Sequence, residues 1–221
     1  MIYGEAARLT IELRGAQSVP VRTGTSQVDR VSVALVVAAN REKLTPLVIY
    51  KGTRNGPVSR EFTRTVNPYP QDLSYLTNQN AWMTEEVMLE WIDIILFPFA
   101  VQHGVERICL ILDSFSVHLT ETVRAALRDR RINTIYIPGG LTCEMQPLDV
   151  GVNAPFKHYI HEATIHSANF GSLSAGEKRL AMARSISFAF SSITQDTIVN
   201  SFNRVLFTTY GNIEGADEVD V

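Results

Sequence analysis

No apolar run in this sequence is long enough to cross a bilayer. The most apolar stretch, Ile92 to Val101, is interrupted by Asp93 and Pro98. It falls far short of the ~20 residues that a spanning helix needs, so no membrane partner is expected. Cysteine is scarce, with Cys109 and Cys143 the only two in 221 residues. Two such residues build no disulfide framework, and a reducing compartment is expected. Cys109 lies inside an apolar run and is expected to pack as a small hydrophobe. Met1 to Leu9 is too short for a secretory leader and carries Glu5 and Arg8, so none is expected. A strong charge of either sign is also lacking. The net charge of −3 excludes a chain that is basic throughout and binds nucleic acid by charge alone.

What charge there is sits unevenly. Between residues 30 and 66, Arg30, Arg41, Lys43, Lys51, Arg54, Arg60 and Arg64 face only Glu42 and Glu61, a local balance of +5 that leaves −8 for the remainder. This basic stretch reads equally as a solvated hairpin face or as a contact for an acidic partner. With 45% hydrophobic and 19% charged residues, the chain buries a sizeable core, and its length fits one large domain.

Hydrophobic patterning then orders the elements. Arg8 to Leu13 alternates in the strand period, and Val19 to Val21 reads as a short extended piece. Val31 to Ala39 is β-branched and nearly continuous, which predicts a central strand buried on both faces. After the polar turn Asn40 to Lys43, Leu44 to Tyr50 completes a hairpin. Gly52 to Asn80 is polar and broken by Gly56, Pro57, Pro68 and Pro70, so a long loop is expected. Thr84 caps a helix to about Leu96 that Pro98 bends or ends, with Trp82 and Trp91 as core anchors. A strand from Arg107 to Leu112, a helix capped by Thr120 and a strand from Asn133 to Ile137 follow. A helix from Pro147 to Ile165 must absorb Pro155. Ser174 to Glu177 forms a capping box opening one helix, and Thr194 caps another. The fold class is α/β: a mixed sheet flanked by helices, with further helices at the C-terminal end.

The chemistry gathers between Asp113 and Asp149, 36 positions apart. Asp113 closes an apolar strand, where a partly desolvated carboxylate calls for a cation or hydrogen-bond donors. Taken alone it fits a turn or capping aspartate equally well, and Asp149 alone is ordinary first-turn chemistry. As a pair they make an oxygen-rich set suited to Mg²⁺ or Mn²⁺. His118, five residues past Asp113, reads either as support for that site or as a histidine of a helix start. Gln146 either orients substrate or caps its loop. His158 and His161 share a helix face but lack a third ligand, and read as solvated.

Leu110-Ile111-Leu112-Asp113-Ser114-Phe115, His118-Leu119, Ile137-Pro138-Gly139-Gly140-Leu141-Thr142, Gln146-Pro147-Leu148-Asp149-Val150-Gly151 and Phe156-Lys157 occur in that order. Together they resemble the DDE endonuclease domain of pogo/Tigger-type transposases, a group that includes centromere protein B and the Jerky proteins. Upstream, Arg30 to Val33, Leu44 to Gly52, Ala81 to Glu85 and Trp91 fit the same pattern. The resemblance implies an RNase H-like fold and two-metal phosphoryl transfer on DNA, with three acids holding two ions ~4 Å apart. Asp113 matches the second acid and Asp149 the third. The first acid belongs to a preceding central strand and would fall ahead of Met1; neither Glu5 nor Asp29 takes its place. Catalysis by this sequence alone is therefore expected to be incomplete. The alternative is a domesticated, non-catalytic DNA-binding or protein-interaction module. The resemblance further implies nuclear localisation, a DNA partner contacted by residues such as Lys51, Arg54 and Lys157, and a homodimer as the candidate assembly. The expected divisions are a catalytic core over 1–166 without its first strand, a helical extension over 167–210 and an acidic, disordered tail over 211–221.

Overall fold

The computed structural model describes residues 31–64, 66–165 and 172–210. The strand readings at Arg8 to Leu13 and Val19 to Val21, the positions of Glu5 and Asp29, and the acidic tail lie outside the described residues. Among the described residues, five strands and eight α-helices run in the order β1 (Val31–Ala34), β2 (Leu47–Lys51), α1 (Pro57–Phe62), β3 (Ser74–Asn78), α2 (Glu85–Trp91), α3 (Phe97–His103), β4 (Cys109–Asp113), α4 (Glu121–Asp129), β5 (Asn133–Ile137), α5 (Thr142–Met145), α6 (Asn153–Ile165), α7 (Ala175–Ser192) and α8 (Gln195–Tyr210). This is the mixed α/β class expected from the sequence.

The strands form two sheets. In one, β2 lies between β1, which is antiparallel to it, and β3, which is parallel. In the other, β4 and β5 are parallel, with Asp113 opposite Ile137 at their carboxyl ends. Two expectations change here. The run from Val31 to Ala39 yields only a four-residue, partly buried strand at the edge of the described sheet; β2 is the central one. The segment Gly52 to Asn80 is not a bare loop, because it supplies α1 and β3. A parallel β2–β3 pair requires a long crossover, and that topological demand overrides the local Pro and Gly signals.

Side chains of β2 alternate between two cores. Leu47 and Ile49, both 0% exposed, join Met88, Trp91, Ile92, Leu110, Leu112, Val123 and Leu127. Val48 and Tyr50 point the other way, to Phe156, Ile160, Met182, Ile186, Phe190 and Ile198. Each such fully buried side chain contributes about 1.5–3 kcal/mol. Helices on both sides of 166 therefore pack on the same sheet face. Trp91 is the core anchor expected, whereas Trp82 is 48% exposed. Cys109 is also exposed, since it opens β4 on the face away from Leu110 and Leu112.

Two prolines within helical stretches follow π turns. Thr84 caps α2 as expected, accepting from the Val87 N–H. The helix does not stop at Pro98: a π turn over Ile92–Leu96, with the Phe97 N–H bonded to the Ile92 carbonyl, carries the chain into α3 as far as His103. A second π turn over Leu148–Val152 precedes α6 and its Pro155, with the Asn153 N–H reaching the Leu148 carbonyl. Each π turn shifts the hydrogen-bond register just ahead of a residue that has no N–H to donate.

Polar ties also connect distant segments. The ammonium of Lys43, in the β1–β2 turn, donates to the carbonyls of Phe190 (2.8 Å), Ser191 (3.2 Å) and Ile193 (3.0 Å) at the end of α7. A cation there answers both the unpaired carbonyls and the helix dipole. Elsewhere, Phe62 stacks on Tyr50 and Tyr75, with Tyr69 against its edge. Next to this cluster, the Tyr69 hydroxyl donates to Glu61 at 2.7 Å and Arg179 of α7 pairs with the same carboxylate. Burial pushes up the phenols of Tyr50, Tyr69 and Tyr75. Burial also works to raise the Glu61 carboxyl, but the Arg179 and Tyr69 hydrogen bonds outweigh it and hold the carboxyl below its ordinary value.

Replacing Lys43 with Met is expected to cost about 1–2 kcal/mol in a urea melt, the loss of a partly exposed charged cap. The Glu61 pair stabilises the fold while the carboxylate is charged. Its contribution is full above the ordinary value of 4.5 and fades as pH falls through the lowered folded value. The stability difference between the parent and Glu61→Gln should therefore shrink as pH falls from 4.5 through the lowered folded value, as read by urea melts at stepped pH.

Candidate active-site aspartates

Asp113 is the last residue of β4 and stands where an α/β sheet presents side chains beyond its carboxyl edge. The Ser114 hydroxyl donates to the Ile137 carbonyl, which ties the end of β4 to the end of β5. The chain then turns back in one 3₁₀ turn, Ser116–Leu119. That turn brings the Phe115 N–H to Asp113 Oδ1 at 3.2 Å and His118 Nδ1 to the same oxygen at 2.8 Å. Nδ1 also lies 3.2 Å from the Asp113 carbonyl, and the imidazole packs edge-on against Phe115. With its side chain 16% exposed, His118 sits deeper than the carboxylate it holds, at 35%.

Asp149 lies in the second π turn. Its N–H, like that of Val150, bonds to the backbone carbonyl of Gln146 at 3.0 Å. Gln146 thus caps the turn through its backbone, with Pro147 buried beside it. The Asp149 side chain is exposed, and its Oδ1 accepts from Asn153 Nδ2 at 2.6 Å. Two residues on, Gly151 packs against α8: a Cβ placed there would lie 2.7 Å from Ser201 Cβ and 3.2 Å from its Cα. Ser201 is 1% exposed, so the turn bearing Asp149 is seated on the C-terminal helix.

The structure thus joins His118 to Asp113, and the Gln146 carbonyl to the Asp149 backbone. Sequence reasoning missed Asn153 and the Gly151–Ser201 contact. An Asn four residues after an Asp was a legible signal for the first; the second depends on α8, distant in sequence. Lys51 and Lys157 are exposed at the end of β2 and on α6. Arg54 is 74% exposed and pairs with Glu90 at 3.0 Å. His161 lies 3.8 Å from Glu162 and at the surface.

As donors for a metal, the aspartates offer hard oxygens that suit Mg²⁺ or Mn²⁺, ions commonly held by one or two carboxylates plus water. Among the described residues, no group of three His, Cys, Asp or Glu side chains forms a metal site. The described acids therefore do not assemble the three-acid, two-ion arrangement.

The model of the DDE superfamily endonuclease matches residues 28–202, and the chain belongs to that family. The match covers both aspartates, the sheets, α7 and much of α8, in keeping with an RNase H-like domain. The chain is similar to a pogo transposable element with KRAB domain from Mus musculus, 27% identical over 97% of this chain and 34% of that protein. It is similar in the same way to the Homo sapiens protein of that name, 26% identical over 96% of this chain and 34% of that protein. The Jerky protein of Mus musculus is 29% identical over 58% of this chain and 23% of its own length. This chain spans about a third of the two pogo relatives. No solved structure matches it.

Gly151→Ala should be destabilising by about 1–3 kcal/mol despite the better helix propensity of alanine, because the added methyl drives α8 away. Combining it with Ser201→Gly should restore part of the loss in a thermal melt. A stabilised Gly151→Ala would show that the contact is not tight.

Proposed function

We propose that this chain is a transposase-derived DNA-binding domain in which Asp113 and Asp149 are metal ligands for phosphoryl transfer. The observation that carries this is the strand-end carboxylate of Asp113, held by His118 and Phe115, in a chain that belongs to the DDE endonuclease family. Bound Mg²⁺ or Mn²⁺ would activate water or a 3′-hydroxyl and stabilise the leaving oxygen. Lys51, Arg54 and Lys157 supply contacts to the phosphate backbone, which position DNA without reading its sequence. Such a domain works in the nucleus.

The 221 residues alone are expected to cut DNA little or not at all, because two carboxylates do not position two ions. A second reading, a domesticated module that binds DNA or protein without cutting, is favoured by the lack of a three-acid cluster among the described residues. The two readings separate on metal. Under the first, the chain binds Mn²⁺ through Asp113 and Asp149, and either Asp→Ala change abolishes residual nicking of plasmid DNA. Under the second, DNA binding is indifferent to Mn²⁺ and to both substitutions.

Fluorescence anisotropy with duplex DNA should show binding that weakens steeply with salt. Lys51→Ala and Lys157→Ala should each weaken it across all sequences and lower the salt slope by about one. Binding that is absent at low salt would exclude DNA as the partner.

A further inference from the structure

We infer that Trp82 is a stacking platform for one unpaired nucleic-acid base, with Lys51 near it for the backbone of the same strand. This deepens the reading of the chain as a DNA-binding domain and rests on it. Trp82 is 48% exposed, whereas Trp91 is 3% exposed. The residues on either side build that exposure in. Ala81 is 0% exposed, and Met83 packs against the core that holds Leu47 and Ile49. Ala81 also adopts a left-handed conformation, φ 54°, which an L side chain takes only at a cost. Hydrogen bonds fix the turn around it. The Ala81 N–H donates to the Asn78 carbonyl at 3.1 Å, and the Ser32 hydroxyl donates to the Ala81 carbonyl at 2.6 Å. The Asn80 N–H donates to Asn78 Oδ1 at 3.0 Å. With both neighbours committed inward, the indole is left half in solvent on a rigid mount. A side chain presented this way gives up little freedom when a flat ligand lies on it.

Asn78 also gathers the polar groups of this edge. Its carbonyl accepts a second N–H, that of Gly52 at 3.0 Å, and its amide donates to Thr84, the cap of α2, at 3.3 Å. Lys51 stands opposite Asn78 in the β2–β3 register, at the carboxyl edge of a parallel pair, and is exposed. Arg54 follows, paired with Glu90 at 3.0 Å. Glu85 and Glu86 lie in the first turn of α2, where the helix dipole offsets them. A cationic peptide would be drawn to those two acids, but the +5 balance of residues 30–66 favours a polyanion. Within a polyanionic strand, a base can lie on an indole only when it has left its own stack, because a duplex covers both faces of every internal base. Stacking of this kind tolerates any sequence, since every base has a π face. An exposed aromatic with a cation near it therefore fits an unpaired nucleotide rather than a duplex.

The test uses the full chain with oligo(dT), a strand of equal length that lacks bases, and a duplex. Oligo(dT) should quench the tryptophan fluorescence of the parent. Trp82→Phe, which keeps only the buried Trp91 as emitter, should lose that response. By anisotropy, Trp82→Ala should weaken oligo(dT) binding by about 10-fold. Its binding to the abasic strand and to the duplex should stay at the parent level, which also shows that the variant is folded. Trp82→Phe should recover part of the affinity, because a smaller ring still stacks. The inference is overturned if the parent binds oligo(dT) and the abasic strand alike, or if Trp82→Phe is no better than Trp82→Ala. It is overturned as well if Trp82→Ala leaves oligo(dT) binding unchanged while Lys51→Ala weakens it; the phosphate contacts would then stand without a stacked base. Equal losses on all three ligands would make Trp82 a structural residue and end the inference. So would quenching by a lysine-rich peptide where oligo(dT) has no effect. Should none of the three nucleic acids bind at low salt, the DNA-binding reading itself falls.

Discussion

The strand Leu47–Lys51 is the constraint on which the rest of the structure depends. It is buried on both faces and feeds alternate side chains into two separate cores. A strand whose residues are apolar at both parities cannot face water on either side. Helices must therefore cover both faces: α2, α3 and α4 on one, and α6, α7 and α8 on the other. The second sheet, β4–β5, shares the first of these cores through Leu110 and Leu112. Asp113 comes one residue after Leu112, so its place follows directly from how that core is packed.

Helical irregularity sets the other aspartate. An unbroken α-helix from Pro147 would meet Pro155 with no N–H to give and a ring pressed on the preceding turn. The π turn over Leu148–Val152 relieves this by resetting the register, and it is the turn that carries Asp149. Gly151 then allows α8 to approach to a distance that no side chain would tolerate. The same device appears at Ile92–Leu96 before Pro98, where no candidate site lies. The π turn is thus a backbone solution used twice among the described residues, once at a position with chemistry.

Membership of the DDE endonuclease family gives these carboxylates their most economical meaning, yet the local chemistry stands independently of it. Hydrogen bonds that hold one oxygen of an aspartate orient the side chain, whatever the aspartate goes on to bind. The polar ties elsewhere work differently. Lys43 and the Glu61–Arg179–Tyr69 group join segments more than a hundred residues apart and secure α7 to the sheet layer. They lie in the frame, and the aspartates lie at its edges.

Much was legible in the residues themselves. The alternation in Asn133–Ile137, the caps at Thr84, Thr120 and Ser174, and the position of Asp113 at a strand end are local, and local physics decides them. So is the reach of His118 back to Asp113, because only five residues intervene. Other features depended on partners far along the chain. Val31 to Ala39 reads as a central strand by its composition, but centrality belongs to whichever strand has a neighbour on each side, and β3 supplies the second neighbour to β2 instead. Cys109 and Trp82 look buried by type, but the faces they occupy leave them exposed. By itself the sequence determined element types, caps and the spacing of the two aspartates, because these rest on contacts within a few residues. Which strand is central, which helices share a core and how α8 seats the Asp149 turn were decided only by the tertiary structure, because they rest on contacts between segments whose meeting no local pattern encodes.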